Sequence, residues 1–282
     1  MSAAHEDFLC QMARLSTERA EGARQRRAAL EAEALEAPAV VPLSLDDRFD
    51  LIAEIKRASP SVGNLADVEA DAQALQQMLH SQATAYVDGG AAALSVLTEP
   101  SRFLGHLDHL RMVVAAVGGR RPVMRKDFLV HPVQLLETRA AGASGALLIT
   151  RMLTDEALSE MLTVARDLGL FVLLEAFDAE DLRRMVGLGV SPAADHPGVL
   201  LGLNCRDLKS LQVDFERLFH DLPWPEGLRV AESGLSSPGH AARCARQGYR
   251  LALVGSALMT SGTPRDAARA LIDTGRREVP GG

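Results

Sequence analysis

Cysteine is scarce in this 282-residue chain: Cys10, Cys205 and Cys244 stand far apart, with no CxxC spacing. That excludes a disulfide framework or a cysteine-built zinc site and leaves reduced thiols. A long uncharged run is also missing. The longest stretch without Asp, Glu, Lys or Arg goes from Ala72 to Val87 and is studded with Gln, His, Ser and Thr. It is too short and too polar to span a bilayer. An excess of positive charge is missing too. Lys plus Arg is 30 against 37 for Asp plus Glu, a net charge of −7. Sequence-independent nucleic-acid binding needs a basic face, so it is not expected. A local basic pocket for a small anion fits this balance. The N-terminus lacks the basic-then-apolar order of a signal peptide, and the expectation is a cytoplasmic protein. What is present is 47% hydrophobic and 24% charged residues, enough to build a core in one large domain or two ordinary ones.

Residues 3–36 are rich in Ala, Leu, Glu and Arg, with Gly22 the only glycine and no proline. That composition predicts helix. The apolar positions do not hold a heptad, and the stretch from Ala37 to Leu45 breaks the pattern with two prolines. Beyond residue 50, eight short apolar runs recur: Asp50–Lys56, Ala91–Leu97, Pro122–Lys126, Ala143–Thr150, Leu170–Ala176, Val199–Asn204, Leu228–Glu232 and Arg250–Gly255. Amphipathic segments such as His131–Ala141, Asp155–Leu168, Ala179–Leu188 and Ser237–Gln247 lie between them. Gly142, Gly169, Gly189 and Gly248 stand where a helix C-cap glycine is expected. Continuous apolar strands alternating with helices predict parallel strands covered on both sides. Eight such units predict a (β/α)8 TIM barrel of the α/β class. No glycine-rich dinucleotide loop follows the first strand. The expected division is a helical extension over 1–48, a barrel over 49–276 and a short tail over 277–282.

In such barrels the chemistry collects at the C-terminal ends of the strands. The first run ends with Glu54 and Lys56, then Ser59 and Ser61; the second carries Ser95. The third ends with Arg125, Lys126 and Asp127, the fifth with Glu175, the sixth with Asn204 and Arg206. The seventh gives Glu232, Ser233 and Gly234, and the eighth Gly255 and Ser256. Glu54 and Lys56 are two apart and share a side of the strand. Alone they would be equally a buried structural ion pair. Three carboxylates converging with two lysines are better suited to multistep acid–base chemistry. A lysine whose pKa is lowered by burial and neighbouring cations would serve as proton donor near neutral pH. Gly and Ser at two successive strand-to-helix turns suit a phosphate dianion, held by backbone N–H groups and a helix start.

The segments Ile-Ala-Glu-Ile-Lys-Arg-Ala-Ser-Pro-Ser (52–61), Gly-Gly-Ala-Ala-Ala-Leu-Ser-Val-Leu-Thr-Glu (89–99), Pro-Val-Met-Arg-Lys-Asp-Phe (122–128), Gly-Leu-Asn-Cys-Arg-Asp-Leu (202–208), Ala-Glu-Ser-Gly-Leu (231–235) and Leu-Val-Gly-Ser-Ala-Leu-Met (253–259) closely resemble the indole-3-glycerol-phosphate synthase family. The resemblance covers about residues 50–275 in order. It implies conversion of 1-(2-carboxyphenylamino)-1-deoxyribulose 5-phosphate to indole-3-glycerol phosphate, CO2 and water, with no cofactor and no metal. By the same resemblance Lys126 is the general acid of ring closure and Glu175 the acid–base group of dehydration. Glu54 and Lys56 form a coupled pair whose separate roles stay open. Asn204 and Glu232 support the substrate and the lysines. Ser233, Gly234, Gly255 and Ser256 cradle the phosphate, Ser59 and Arg206 bind substrate, and Phe103 and Phe128 wall the anthranilate ring.

The sequence departs from the family pattern at Val62, where Lys is frequent, at Phe177 for His, and at Cys205 for Asn or Ser. The run from Gly63 to Tyr86 is longer than usual. Two rivals are a phosphate-binding isomerase of tryptophan or histidine biosynthesis and a non-catalytic relative that binds an aryl-sugar phosphate. The expected partner is the small anionic substrate, without nucleic acid or membrane; contact with other tryptophan-pathway enzymes stays open. His106 and His109, at i and i+3, are expected on an exposed helix face rather than at a metal. Trp224 is expected to plug the loop before the seventh strand.

Overall fold

The computed structural model describes residues 8–45, 48–59, 63–64, 71–190, 198–207, 210 and 212–279, without the side chains of Ser59 and Asn64. Val62 and Ser61 lie outside the described residues, as does the side chain of Ser59. The eight apolar runs form strands β1 (Asp50–Ile55), β2 (Ala93–Leu97), β3 (Val123–Lys126), β4 (Gly145–Ile149), β5 (Phe171–Ala176), β6 (Val199–Asn204), β7 (Leu228–Glu232) and β8 (Leu251–Val254). All pair in parallel and close into a barrel in the order β1-β8-β7-β6-β5-β4-β3-β2. The expected barrel is the observed one.

Alternation along each strand sorts side chains between two cores. Ile52, Ala93, Met124, Leu147, Leu173, Leu200, Val230 and Leu251 pack inside the barrel. Their neighbours Leu51, Leu94, Leu148, Leu174, Leu201, Ala231 and Ala252 face the helices. The interior parity then continues upward to Glu54, Lys126, Glu175, Asn204 and Glu232. That continuation is why the polar strand ends point into one mouth.

Helices α1 (Phe8–Gln25) and α2 (Arg27–Glu36) form the N-terminal extension, interrupted at Arg26. Around the barrel follow α3 (Ala72–Asp88), α4 (Pro100–Phe103), α5 (Leu107–Val117), α6 (Pro132–Ala140), α7 (Asp155–Asp167), α8 (Ala179–Gly187), α9 (Pro238–Arg246), α10 (Ser256–Met259) and α11 (Pro264–Glu278). Between β6 and β7 the described helical segment is a single 3-10 turn, Phe215–Phe219. The long run after β1 is in large part helix, since α3 begins at Ala72 behind the capping side chain of Asp71. A short antiparallel ribbon, Ala58–Ser59 with Gly63–Asn64, follows β1 and was not foreseen. Gly142, Gly169, Gly189 and Gly248 all take positive φ, as a helix-ending glycine requires.

His106 is the N-cap of α5, its Nδ1 accepting from Asp108 N at 3.2 Å. His109 does not lie on an exposed face: it is 7% exposed. Burial, with Arg57 and His106 nearby, lowers its pKa to about 4, so the ring is neutral. Helix periodicity turned it inward, which the i, i+3 spacing alone did not reveal. Trp224 packs edge-on against Tyr249 at 5.8 Å, under the guanidinium of Arg229 at 5.0 Å. The three cysteines are free. Among the described residues, no helix is long and apolar enough to cross a membrane.

Candidate active site

The barrel mouth opens into a cavity of about 640 Å3. Its lining includes Glu54, Lys56, Lys126, Glu175, Asn204 and Glu232, and also Phe103, Phe128, Arg206, Ser233, Gly234, Gly255 and Ser256. Every anticipated site residue with a described side chain therefore meets in one place.

Two ion-pair groups occupy the floor. Lys56 Nζ lies 2.7 Å from Glu54 Oε1. Lys126 Nζ lies 3.2 Å from Glu175 Oε2 and 3.5 Å from Glu232 Oε2. The three carboxylates are 1–2% exposed. Burial, reinforced by the neighbouring charge of Glu175, pushes the Glu232 carboxyl well above the usual carboxylate range. The Lys126 ammonium beside it acts in the opposite sense.

Lys126 departs from expectation. Burial does press its pKa down, but Glu175, Glu232 and Glu54 together outweigh burial and raise it above the ordinary lysine value. The groups around this ammonium are anions, not the cations anticipated from the sequence. It is a fully charged donor held by carboxylates.

The two turns after β7 and β8 form another side of the cavity. A Cβ at Gly255 would press on Glu54 Oε1 and Lys56 Nζ, so a side chain there would push that ion pair out of place. Ser233 and Gly234 both take positive φ, 69° and 79°. Among the described residues Asn204 makes no hydrogen bond to a lysine. Its Oδ1 accepts from Ser233 Oγ at 2.8 Å and from Arg206 N at 3.0 Å, tying the sixth strand end to the turn after β7.

The opposite wall is apolar. Phe128 follows Lys126 on the β3 loop, with Phe103 at 6.2 Å and Phe8 edge-on at 5.7 Å between ring centroids. Phe103 rides on α4, whose N-cap is the Glu99 carboxylate, accepting from Ser101 N and Arg102 N. Leu147, Ile149 and Phe177 continue the wall. The guanidinium of Arg151 backs the Phe177 ring at 4.8 Å. Arg125 and Asp127 flank Lys126 but belong to a structural network with Thr98, Glu137 and Arg19.

The sequence reading missed Phe8 and Phe177 in the cavity wall, and it missed Gly202 beside Glu232. A Cβ on Gly202 would sit 2.1 Å from Glu232 Oε1, so its absence is what lets that carboxylate lie across β6. A glycine inside the apolar run Val199–Asn204 was the available signal. Among the described residues no group of three or more His, Cys, Asp or Glu is placed to hold a metal ion.

A family model described as indole-3-glycerol phosphate synthase matches residues 12–271. The sequence is 43% identical over 222 residues to an indole-3-glycerol phosphate synthase of Nocardioides sp., spanning 78% of each chain. It is 42% identical over 228 residues to one of Mycolicibacterium smegmatis, spanning 80% of this chain and 77% of the relative. Among solved structures, 3-hexulose-6-phosphate synthase from Salmonella typhimurium superposes with a TM-score of 0.59 at 12% identity, over 82% of this chain and 100% of that one. The structural likeness is one of fold alone. The sequence matches go further, and with them the chain belongs to the indole-3-glycerol phosphate synthase family.

Proposed function

We propose that this barrel converts 1-(2-carboxyphenylamino)-1-deoxyribulose 5-phosphate to indole-3-glycerol phosphate, CO2 and water, as a carboxy-lyase of tryptophan biosynthesis. One observation carries the assignment of roles: two lysines and three buried carboxylates face an aromatic wall across a single cavity. A flat aryl ring suits the wall of Phe103 and Phe128. The phosphate end suits the turns of Ser233, Gly234, Gly255 and Ser256, with Arg206 on the same rim. Between them lies the reacting centre.

Ring closure joins the carboxylate-bearing ring carbon to the ribulose carbonyl carbon. Lys126 gives a proton to the carbonyl oxygen as that bond forms. CO2 then leaves and its bonding electrons restore the aromatic ring. Loss of the new hydroxyl as water needs an acid at the oxygen and a base for a ring proton, the work assigned to Glu175. Glu232 keeps Lys126 and Glu175 in register. Lys56 and Glu54 face the substrate carboxylate from the first strand.

Addition of the carboxyphenylamino-deoxyribulose phosphate to the purified protein is expected to produce indole fluorescence. Lys126→Ala is expected to lower kcat by about 10²–10⁴-fold, while substrate still protects the protein against thermal unfolding. Near-normal turnover in this variant would remove Lys126 from the role of general acid.

A further inference from the structure

The turn after β7 is held in an unfavourable shape, and something must hold it. Ser233 lies in the left-handed region, where a residue with a Cβ is strained, and Gly234 follows it there. The front of the turn is tied by Ser233 Oγ to Asn204 Oδ1 and by Cys205 Sγ, which donates to Ser233 O at 3.4 Å. The back is tied by a residue no substrate role accounts for. His240, in the first turn of α9, places Nδ1 3.1 Å from Gly234 O and 3.3 Å from Ser236 N. With a proton on Nδ1 the ring donates to the Gly234 carbonyl. With Nδ1 bare it accepts from the Ser236 amide. Either tautomer pins one of two residues that line the cavity.

The ring itself is fixed from the other side. Phe215 stacks on His240 with centroids 4.3 Å apart and planes tilted by 31°. The same phenyl closes over Gly234, where a Cβ would be 2.9 Å from Phe215 Cδ2. Arg243, one turn further along α9, lies over the Phe219 ring at 3.8 Å and grips both oxygens of Glu216 at 2.5–2.6 Å. The 3-10 turn Phe215–Phe219 is thereby bolted to α9, and His240 is the bolt nearest the cavity.

We propose that His240, backed by Phe215, is a positioning residue for the phosphate end of the substrate: it fixes the Ser233–Ser236 turn so that its backbone amides are organised before substrate arrives. This rests on the phosphate-cradle reading given above. His240 touches no reacting atom, so its removal should weaken recognition of the phosphate and spare the chemistry.

The test compares the whole protein with His240→Ala, His240→Asn and Phe215→Leu. The readings are KM, kcat, the inhibition constant of inorganic phosphate, and Tm. His240→Ala is expected to raise KM and the phosphate inhibition constant together, by about three- to tenfold, the worth of one or two hydrogen bonds, with kcat within about twofold. Asn carries a polar group near the position of Nδ1 and is expected to recover part of the loss. Phe215→Leu keeps the imidazole but loosens it, and is expected to move both constants the same way by less. A lowered Tm with unchanged KM and phosphate inhibition would overturn the proposal and leave His240 as packing. Parallel loss of kcat would overturn it as well. If phosphate fails to compete even in the unaltered protein, the cradle reading itself falls, and the role of His240 with it.

Discussion

At the scale of single residues the site is a problem in charge balance. Three carboxylates cannot all ionise side by side in a buried mouth unless cations stand among them. Lys56 and Lys126 supply those cations, and the raised pKa of the Glu232 carboxyl eases the remaining crowding of charge. Gly202 is the least conspicuous part of this arrangement. A methyl group there would meet the end of the Glu232 side chain, which can swing aside cheaply but only by leaving Lys126. Gly202→Ala is therefore expected to lower kcat by up to about 10²-fold, as a misplacement of about 1 Å does, while Tm changes little. Fluorescence-monitored single turnovers beside a thermal melt check this; a normal kcat would mean Glu232 acts from more than one position. Much of this site was legible in the sequence because polar residues ended otherwise apolar strands at interior parity. Gly202 was not, since it matters through Glu232, a neighbour distant in the chain, and His240 was not, since its contacts depend on how the turn after β7 bends back over the start of α9. The pKa of Lys126 was misread for the same reason: its setting depends on which charges fold around it, and two of them come from β5 and β7.

At the scale of elements, the eight strands and the glycine-ended helices could be read directly, because burial on both faces leaves continuous apolar runs. The docking of the N-terminal helix could not be read, because an amphipathic helix does not announce its partner. Its partners are α6, where Gln134 Nε2 donates to Ser16 Oγ at 2.9 Å, and the third strand end. Arg19 of α1 donates to Asp127 Oδ1 at 2.7 Å and lies 3.8 Å from Glu99. Asp127 also accepts from Thr98 Oγ1 at 2.7 Å and Arg125 Nη2 at 3.1 Å. Burial alone would raise the Asp127 carboxyl, but Arg125, Arg19 and these hydrogen bonds hold it below the ordinary aspartate value. A depressed folded-state pKa gives stability that is present above the unfolded value of 3.8 and lost as pH falls through the folded value. Arg19→Met is thus expected to destabilise the protein by about 1–3 kcal/mol at pH 7, with the gap closing in acid below the ordinary aspartate value. Denaturant melts across that range decide it. A gap of constant size would mean that Arg19 contributes by packing its methylenes and not by its charge.

At the scale of the whole molecule, a protein of net charge −7 presents its binding cations in one recess. Lys56, Lys126 and Arg206 all line the cavity, and a substrate anionic at both ends is drawn there rather than to the outer surface. The same placement bears on metals. A divalent ion seeking oxygen ligands would be drawn to Glu54, Glu175 and Glu232, but the Lys126 ammonium already lies within 3.5 Å of two of them and Lys56 within 2.7 Å of the third. To bind, the ion would have to displace both ammonium groups from the carboxylates that hold them. The decarboxylation needs no external electron sink, since the aryl ring of the substrate receives the electron pair. Full activity is therefore expected after exhaustive EDTA treatment and gel filtration, with no absorbance beyond the protein band. The decisive measurement is turnover before and after chelation, with and without added magnesium, manganese or zinc. Activity lost to the chelator and restored by one ion would make the three carboxylates metal ligands and would displace Lys126 from the centre of the site.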